Sequence, residues 1–95
     1  MFARITQYQL KPGVTDAAMA KAEELKDRIM ALPGILSFTN AVDENGRGYV
    51  IATVTDRATS DASADQVKAL WSEMGEFLAA PPTPEGYDNV QHWDN

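Results

Sequence analysis

Arg4 is the sole charge in a run, Phe2 to Leu10, that otherwise reads as a β-strand. A guanidinium inside a sheet needs a carboxylate or an anionic ligand beside it. By two-residue alternation Phe2, Arg4, Thr6, Tyr8 and Leu10 share one face. That face offers a cation, hydroxyls and aromatic rings, a set able to grip a polar ligand's oxygen atoms and stack on its ring. An interfacial salt bridge to Asp or Glu is the favoured expectation for Arg4, with ligand binding as the alternative. Asn40, in a later strand, is a weaker candidate of the same kind. Tyr8 and Tyr49 could each orient or protonate an oxygenated substrate, or bond a backbone group across a subunit seam. Trp71 falls on the apolar stripe of a helix, where an indole is core packing or the wall of an aromatic ligand pocket between helix and sheet. His92 is the only histidine, and so the only side chain whose unperturbed pKa lies near neutrality. As a general base it needs a partner acid and a cavity. As a metal or haem ligand it stands alone, and its place near the chain end favours fraying over function.

Bulk composition narrows the chemistry further. Fourteen acidic and eight basic residues give a net charge of −6, with the basic residues scattered. Phosphate-backbone binding needs clustered cations, so neither nucleic acid nor an anionic membrane is an expected partner. Cysteine is absent, which excludes disulfides, thiolate metal sites and cysteine catalysis. No P-loop, dinucleotide glycine motif, zinc spacing or serine nucleophile elbow is present, and no metal is expected. Glu23-Glu24 and Asp43-Glu44 read as solvated pairs. No run approaches the roughly 18 apolar residues of a membrane span. A strand beginning at residue 2 or 3 leaves no room ahead of it for a signal segment, and a cytoplasmic address is expected.

The elements that must position these side chains are legible in the pattern, and 95 residues make a single domain, 1–95. Lys11-Pro12-Gly13 ends the first strand. Thr15 or Asp16 is the expected cap of a first helix whose apolar residues Ala18, Ala22, Leu25, Ile29 and Leu32 are spaced 4, 3, 4 and 3. Pro33-Gly34 stops it. Residues 35–42 and 49–55 read as a hairpin joined by Asp43–Gly48, with Gly46 and Gly48 read as positive-φ turn residues. Thr59, Ser60 and Asp61 offer caps for a second helix over about 61–79, with Val67, Leu70, Trp71, Met74, Phe77 and Leu78 as its stripe. Gly75 inside it signals close packing or a bend. Pro81 to Pro84 is expected to cross the sheet edge extended, and residues 87–93 have the composition of a short last strand.

The order β-α-β-β-α-β predicts an α+β, ferredoxin-like antiparallel sheet, with both helices on one face and the first and third strands central. Both hairpin runs lack Asp, Glu, Lys and Arg. A sheet with helices on one side ordinarily places charge on the other. A second copy of the chain is the simplest cover, which predicts a homodimer joined through the sheet face.

Phe2-Ala-Arg-Ile-Thr6, Lys11-Pro-Gly13, Leu32-Pro-Gly-Ile35 and the Asp43–Gly48 turn together resemble the dimeric α/β-barrel superfamily that includes antibiotic-biosynthesis-type monooxygenases. The resemblance covers most of residues 2–78 and rests on turn and core features. It implies two sheets packed face to face in a dimeric barrel. It also implies a cofactor-independent monooxygenase, or a related small-molecule enzyme, acting on an aromatic or polyketide-like compound. The alternative is a non-catalytic ligand-binding or accessory module. Haem-degrading members carry an asparagine in strand one and a histidine on the second helix. Here strand one has Thr6 and Gln7 and the second helix has no histidine, so no cofactor is expected.

Overall fold

In the computed structural model, which describes residues 1–95, β1 (Phe2–Gln9) lies between β3 (Arg47–Val54) and β4 (Thr83–Tyr87), and β2 (Ile35–Val42) borders β3. The sheet is antiparallel throughout, in the order β2-β3-β1-β4. This is the ferredoxin-like arrangement expected, with strands one and three central. Ala18, Leu25 and Ile29 from the first crossover and Leu70, Trp71 and Met74 from the second pack on the same side of the sheet, against Tyr8, Leu10 and Phe38. Burying that stripe is the main force closing the helices onto the strands.

Register decides which side chains meet. Phe38, Ala52, Arg4 and Gly86 form one row across the four strands, and Asn40, Val50, Thr6 and Pro84 form the next. Both rows face the helices. The alternate rows, Thr39-Ile51-Ile5-Glu85 and Ala41-Tyr49-Gln7-Thr83, face away. On that outer face Thr53 and Ala3 are buried, but the rows beyond them are open. Tyr49, Ile51 and Tyr87 stand 38–44% exposed on it.

The hairpin turn is tighter than its sequence implied. Asp43 Oδ1 accepts the amides of Asn45 (2.8 Å) and Arg47 (3.0 Å), so β3 starts at Arg47 and not at 49. Gly46 takes φ +82°, but Gly48 is an ordinary strand residue without positive φ. Its role is different, as described below.

Both helices depart from the single spans expected. The first crossover breaks at Leu25 into α1 (Thr15–Glu24) and α2 (Lys26–Met30). Val14 is the N-cap, with no side-chain cap from Thr15 or Asp16. The second crossover starts before 61: Asp56 caps α3 (Arg57–Ala62) by accepting the Thr59 amide at 2.7 Å. Ser63 turns its hydroxyl back onto the carbonyls of Thr59 and Ser60, a bond that competes with the helix ladder. A second helix, α4 (Ala64–Glu73), then runs to a 3-10 turn at Gly75–Phe77. A Cβ at Gly75 would meet nothing within 4 Å, so Gly75 marks the bend and not a close approach.

The last strand is also displaced. The pairing strand is Thr83–Tyr87, inside the proline-rich stretch, and residues 88–95 carry no regular structure. An edge strand uses only half of its amides in the ladder, which is why Pro84 is tolerated there.

Candidate functional site

Between the sheet and the helices lies a chamber of about 80 Å³. Its floor is the helix-facing side of β1, β2 and β3, and its roof is α1, α2 and α4. Seventeen of its twenty lining residues are hydrophobic, the exceptions being Arg4, Thr6 and Asn40. Tyr8, 6% exposed, donates its hydroxyl hydrogen to Asn40 Oδ1 at 2.6 Å. Its ring lies 5.7 Å from that of Trp71, tilted by 53°. Burial pushes the Tyr8 phenol above its ordinary pKa, and the Asn40 bond opposes that shift only in part. Tyr8 is therefore a neutral phenol near pH 7, able to donate or accept hydrogen bonds but not to act as a base. Asn40 Nδ2 points at the Met19 sulfur, 3.5 Å away.

Gly48 makes this arrangement possible. It sits opposite Tyr8 in the β1–β3 register, and a Cβ built on it would come 2.5 Å from Tyr8 Oη and 2.7 Å from Cε2. The end of the phenol ring occupies the space that a side chain at position 48 would fill. Gly86 gives Phe2 the same room, with an added Cβ 2.5 Å from the ring's Cζ.

Outside the chamber, toward α3, α4 and the Pro81–Gly86 segment, opens a broader cleft of about 870 Å³. Arg4, Thr6, Val67, Trp71 and Leu78 line both spaces. Arg4 is thus at their junction. Its Nη1 donates to Ser60 Oγ at 2.6 Å, and Ser60 is itself buried. Arg4 takes part in none of the chain's ion pairs, which join Lys21–Glu24, Arg28–Glu73, Arg57–Asp88 and His92–Asp94. Burial lowers its pKa, but a guanidinium stays charged.

The structure therefore brings four of the residues singled out by sequence to one place: Arg4, Tyr8, Asn40 and Trp71. Two others lie elsewhere. Tyr49 is one residue out of phase with Val50 and projects from the outer face, where it accepts a bond from Arg47 Nη2 at 3.1 Å. His92 lies in the irregular C-terminal stretch, 3.2 Å from Asp94, and lines neither space. Sequence reasoning missed Gly48 and Ser60 as parts of the site, and Lys68, which stands exposed on the wall of the broader cleft. The signal for Gly48 was its pairing with an aromatic residue, which only the register supplies.

No protein-family model matches the chain, and no curated protein matches it. Solved structures do. One is a crystal structure of an antibiotic biosynthesis monooxygenase, with TM-score 0.75 and 24% identity over 96% of this chain and 100% of that one. Another is the protein NE2512 of Nitrosomonas europaea, of unknown function, with TM-score 0.81 and 18% identity over 99% and 93%. A third is a Bordetella bronchiseptica protein provisionally named an antibiotic biosynthesis monooxygenase, with TM-score 0.79 and 14% identity over 95% and 97%. At such identities the likeness is one of fold. The chain has the α+β, ferredoxin-like fold of antibiotic-biosynthesis-monooxygenase-type domains, as the resemblance in its sequence implied.

Proposed function

We propose that this protein is a cofactor-independent monooxygenase, or a closely related small-molecule enzyme, acting on an aromatic or polyketide-like compound. The observation that carries the reading is the partly open apolar chamber lined by Tyr8, Asn40, Arg4 and Trp71, with the Tyr8–Asn40 bond beside the indole. In such chemistry an activated methylene loses a proton, the carbanion adds to dioxygen, and the hydroperoxide loses water to leave a ketone. The substrate supplies every electron and one oxygen atom leaves as water. The protein's task is to exclude solvent and hold the reacting carbon. Trp71 and the aliphatic walls serve the first task. The Tyr8 oxygen, its hydrogen held by Asn40, serves the second by accepting a hydrogen bond from a substrate hydroxyl.

Oxygen uptake with single-ring quinol substrates tests the reading directly. Uptake that falls at least tenfold in Asn40→Ala or Tyr8→Phe supports it, and no uptake across a broad panel rejects it. One observation favours the alternative of a non-catalytic ligand-binding module. The chamber holds no group suited to take a proton from carbon, since Tyr8 is neutral and His92 lies elsewhere.

We also propose that two chains pair through the bare face of the sheet. Leu36, Tyr49, Ile51 and Tyr87 are exposed large hydrophobics. Glu85 and the marginal Arg47 are the charges of that face. Sedimentation at micromolar concentration should give twice the chain mass, and a monomer would reject the pairing.

A further inference from the structure

The two connected spaces are built for opposite chemistries. The chamber is almost wholly apolar, whereas the cleft outside it carries three of the chain's eight basic residues, Arg4, Arg57 and Lys68. Of the two acidic residues bordering the cleft, Glu85 is in register with Ile5, and its carboxylate bonds the Tyr87 hydroxyl on the far face. Asp61 is the other. With Glu85 turned to the far face and Arg57 held by Asp88, this opening of an acidic chain keeps two unpaired cations, Arg4 and Lys68, against Asp61. Apolar surroundings concentrate the field of such cations on whatever enters.

The three cations are not equivalent. Arg57 is occupied: its Nε and Nη2 each reach Asp88 at 2.9 Å, and its guanidinium lies 4.6 Å above the Phe2 ring. Lys68 belongs to no ion pair and stands exposed at the rim. Arg4 also belongs to none, and its side chain makes one hydrogen bond, to a neutral hydroxyl. A second copy seated on the outer face of the sheet would meet Ile5 and not Arg4, because the two alternate along β1. The carboxylate that a half-buried guanidinium calls for is supplied neither by the chain nor by that pairing.

From this arrangement we infer that the site selects compact, partly apolar monoanions. A carboxylate or enolate oxygen sits on Arg4 at the junction, the apolar part enters the chamber, and Lys68 steers the approach. The inference rests on the reading of these spaces as a small-molecule site. Size sets the second limit. An apolar cavity of roughly 150 Å³ accepts benzene. The chamber, at about 80 Å³, admits one ring only if the flexible side chains of Met19 and Met74 in its wall give way. A fused polycycle does not enter it.

Calorimetric titration of the full chain tests the inference with sodium hexanoate and sodium benzoate, their neutral amides, and sodium acetate as the bare head group. Each anion should bind about tenfold or more tighter than its amide, as expected for a charge-assisted bond, and hexanoate should exceed acetate by a similar factor. Arg4→Gln should abolish the preference over the amide. Lys68→Glu should weaken the anions about three- to tenfold at low salt and leave the amides unchanged. Equal affinity for anion and amide, acetate matching hexanoate, a preference surviving Arg4→Gln, or no binding at all would each overturn the inference. If Arg4→Gln does not fold, Lys68→Glu decides alone. Anion-selective binding without oxygen uptake retains this inference and rejects the oxygenase reading. Uptake on neutral substrates without anion preference does the reverse.

Discussion

Gly48→Ala is the substitution whose consequence follows most directly from the geometry. In an unobstructed strand, alanine gains about 0.5–1 kcal/mol over glycine because the unfolded chain has less freedom to lose. Here the new methyl would lie 2.5 Å from Tyr8 Oη and 2.7 Å from Cε2, and closer still to Cζ. The ring cannot simply swing aside, since it is 6% exposed, bonded to Asn40 and packed on Trp71. Overpacking of this kind costs about 1–3 kcal/mol, and losing the Tyr8–Asn40 bond costs about 1 kcal/mol more. The net loss is therefore about 1–3 kcal/mol. For a domain of this size that lowers the thermal midpoint by roughly 5–20 °C. Tyr8→Leu removes the obstructing ring, so Gly48→Ala in that background should be neutral or stabilising by up to about 1 kcal/mol. Circular dichroism melts of the four proteins, all at one concentration because association shifts the midpoint, give the coupling. Equal shifts from Gly48→Ala with and without the Tyr8 ring would refute the claim that this glycine exists to seat it.

Other predictions bear on the core, the outer face and the acid limb. Leu70→Ala, at a 9% exposed position in the chamber roof, should cost about 2–4 kcal/mol in denaturant unfolding and enlarge the chamber. On the proposed pairing through the outer face, Ile51→Lys should leave the monomer folded but shift sedimentation to the single-chain mass, because pairing would bury an unpaired charge. The Thr59 amide holds the Asp56 carboxyl below the ordinary range, and the Arg57 guanidinium does the same for Asp88. Their contribution is complete above the unfolded carboxylate value of about 3.9 and is lost as pH falls through the lower folded values. The thermal midpoint should therefore drop on the acid side of pH 4. Asp56→Asn and Asp88→Asn should each flatten that limb, and an unchanged acid profile in both would contradict the assignment.

Much of the fold was legible because its signals are local and redundant. The 4-3-4-3 stripe of the first helix, the uncharged hairpin and the proline-glycine stops each identify an element without reference to the rest of the chain. The misplacements have physical causes. Asp56 outcompeted Thr59, Ser60 and Asp61 as a cap because the chain leaving β3 holds Asp56 extended with its carboxylate over the Thr59 amide. The last strand formed over Thr83–Tyr87, against its Pro and Gly content, because the free edge of β1 lay alongside that segment. Composition favours 87–93, but the edge of β1 was already taken by Thr83–Tyr87.

What the sequence determined alone is alternation: Arg4, Thr6 and Tyr8 had to share a face, as did the apolar residues of each helix, because side-chain direction is a property of backbone repeat. What the tertiary structure decided is phase and opposition. Tyr49 and Val50 differ by one position, and only the pairing of Tyr8 with Gly48 sends the first outward and the second into the chamber. The same register places a bare glycine under the phenol, an asparagine at its hydroxyl and no carboxylate beside Arg4. Those are relations between distant segments, set by how strands slide against one another, and no single stretch of chain contains them.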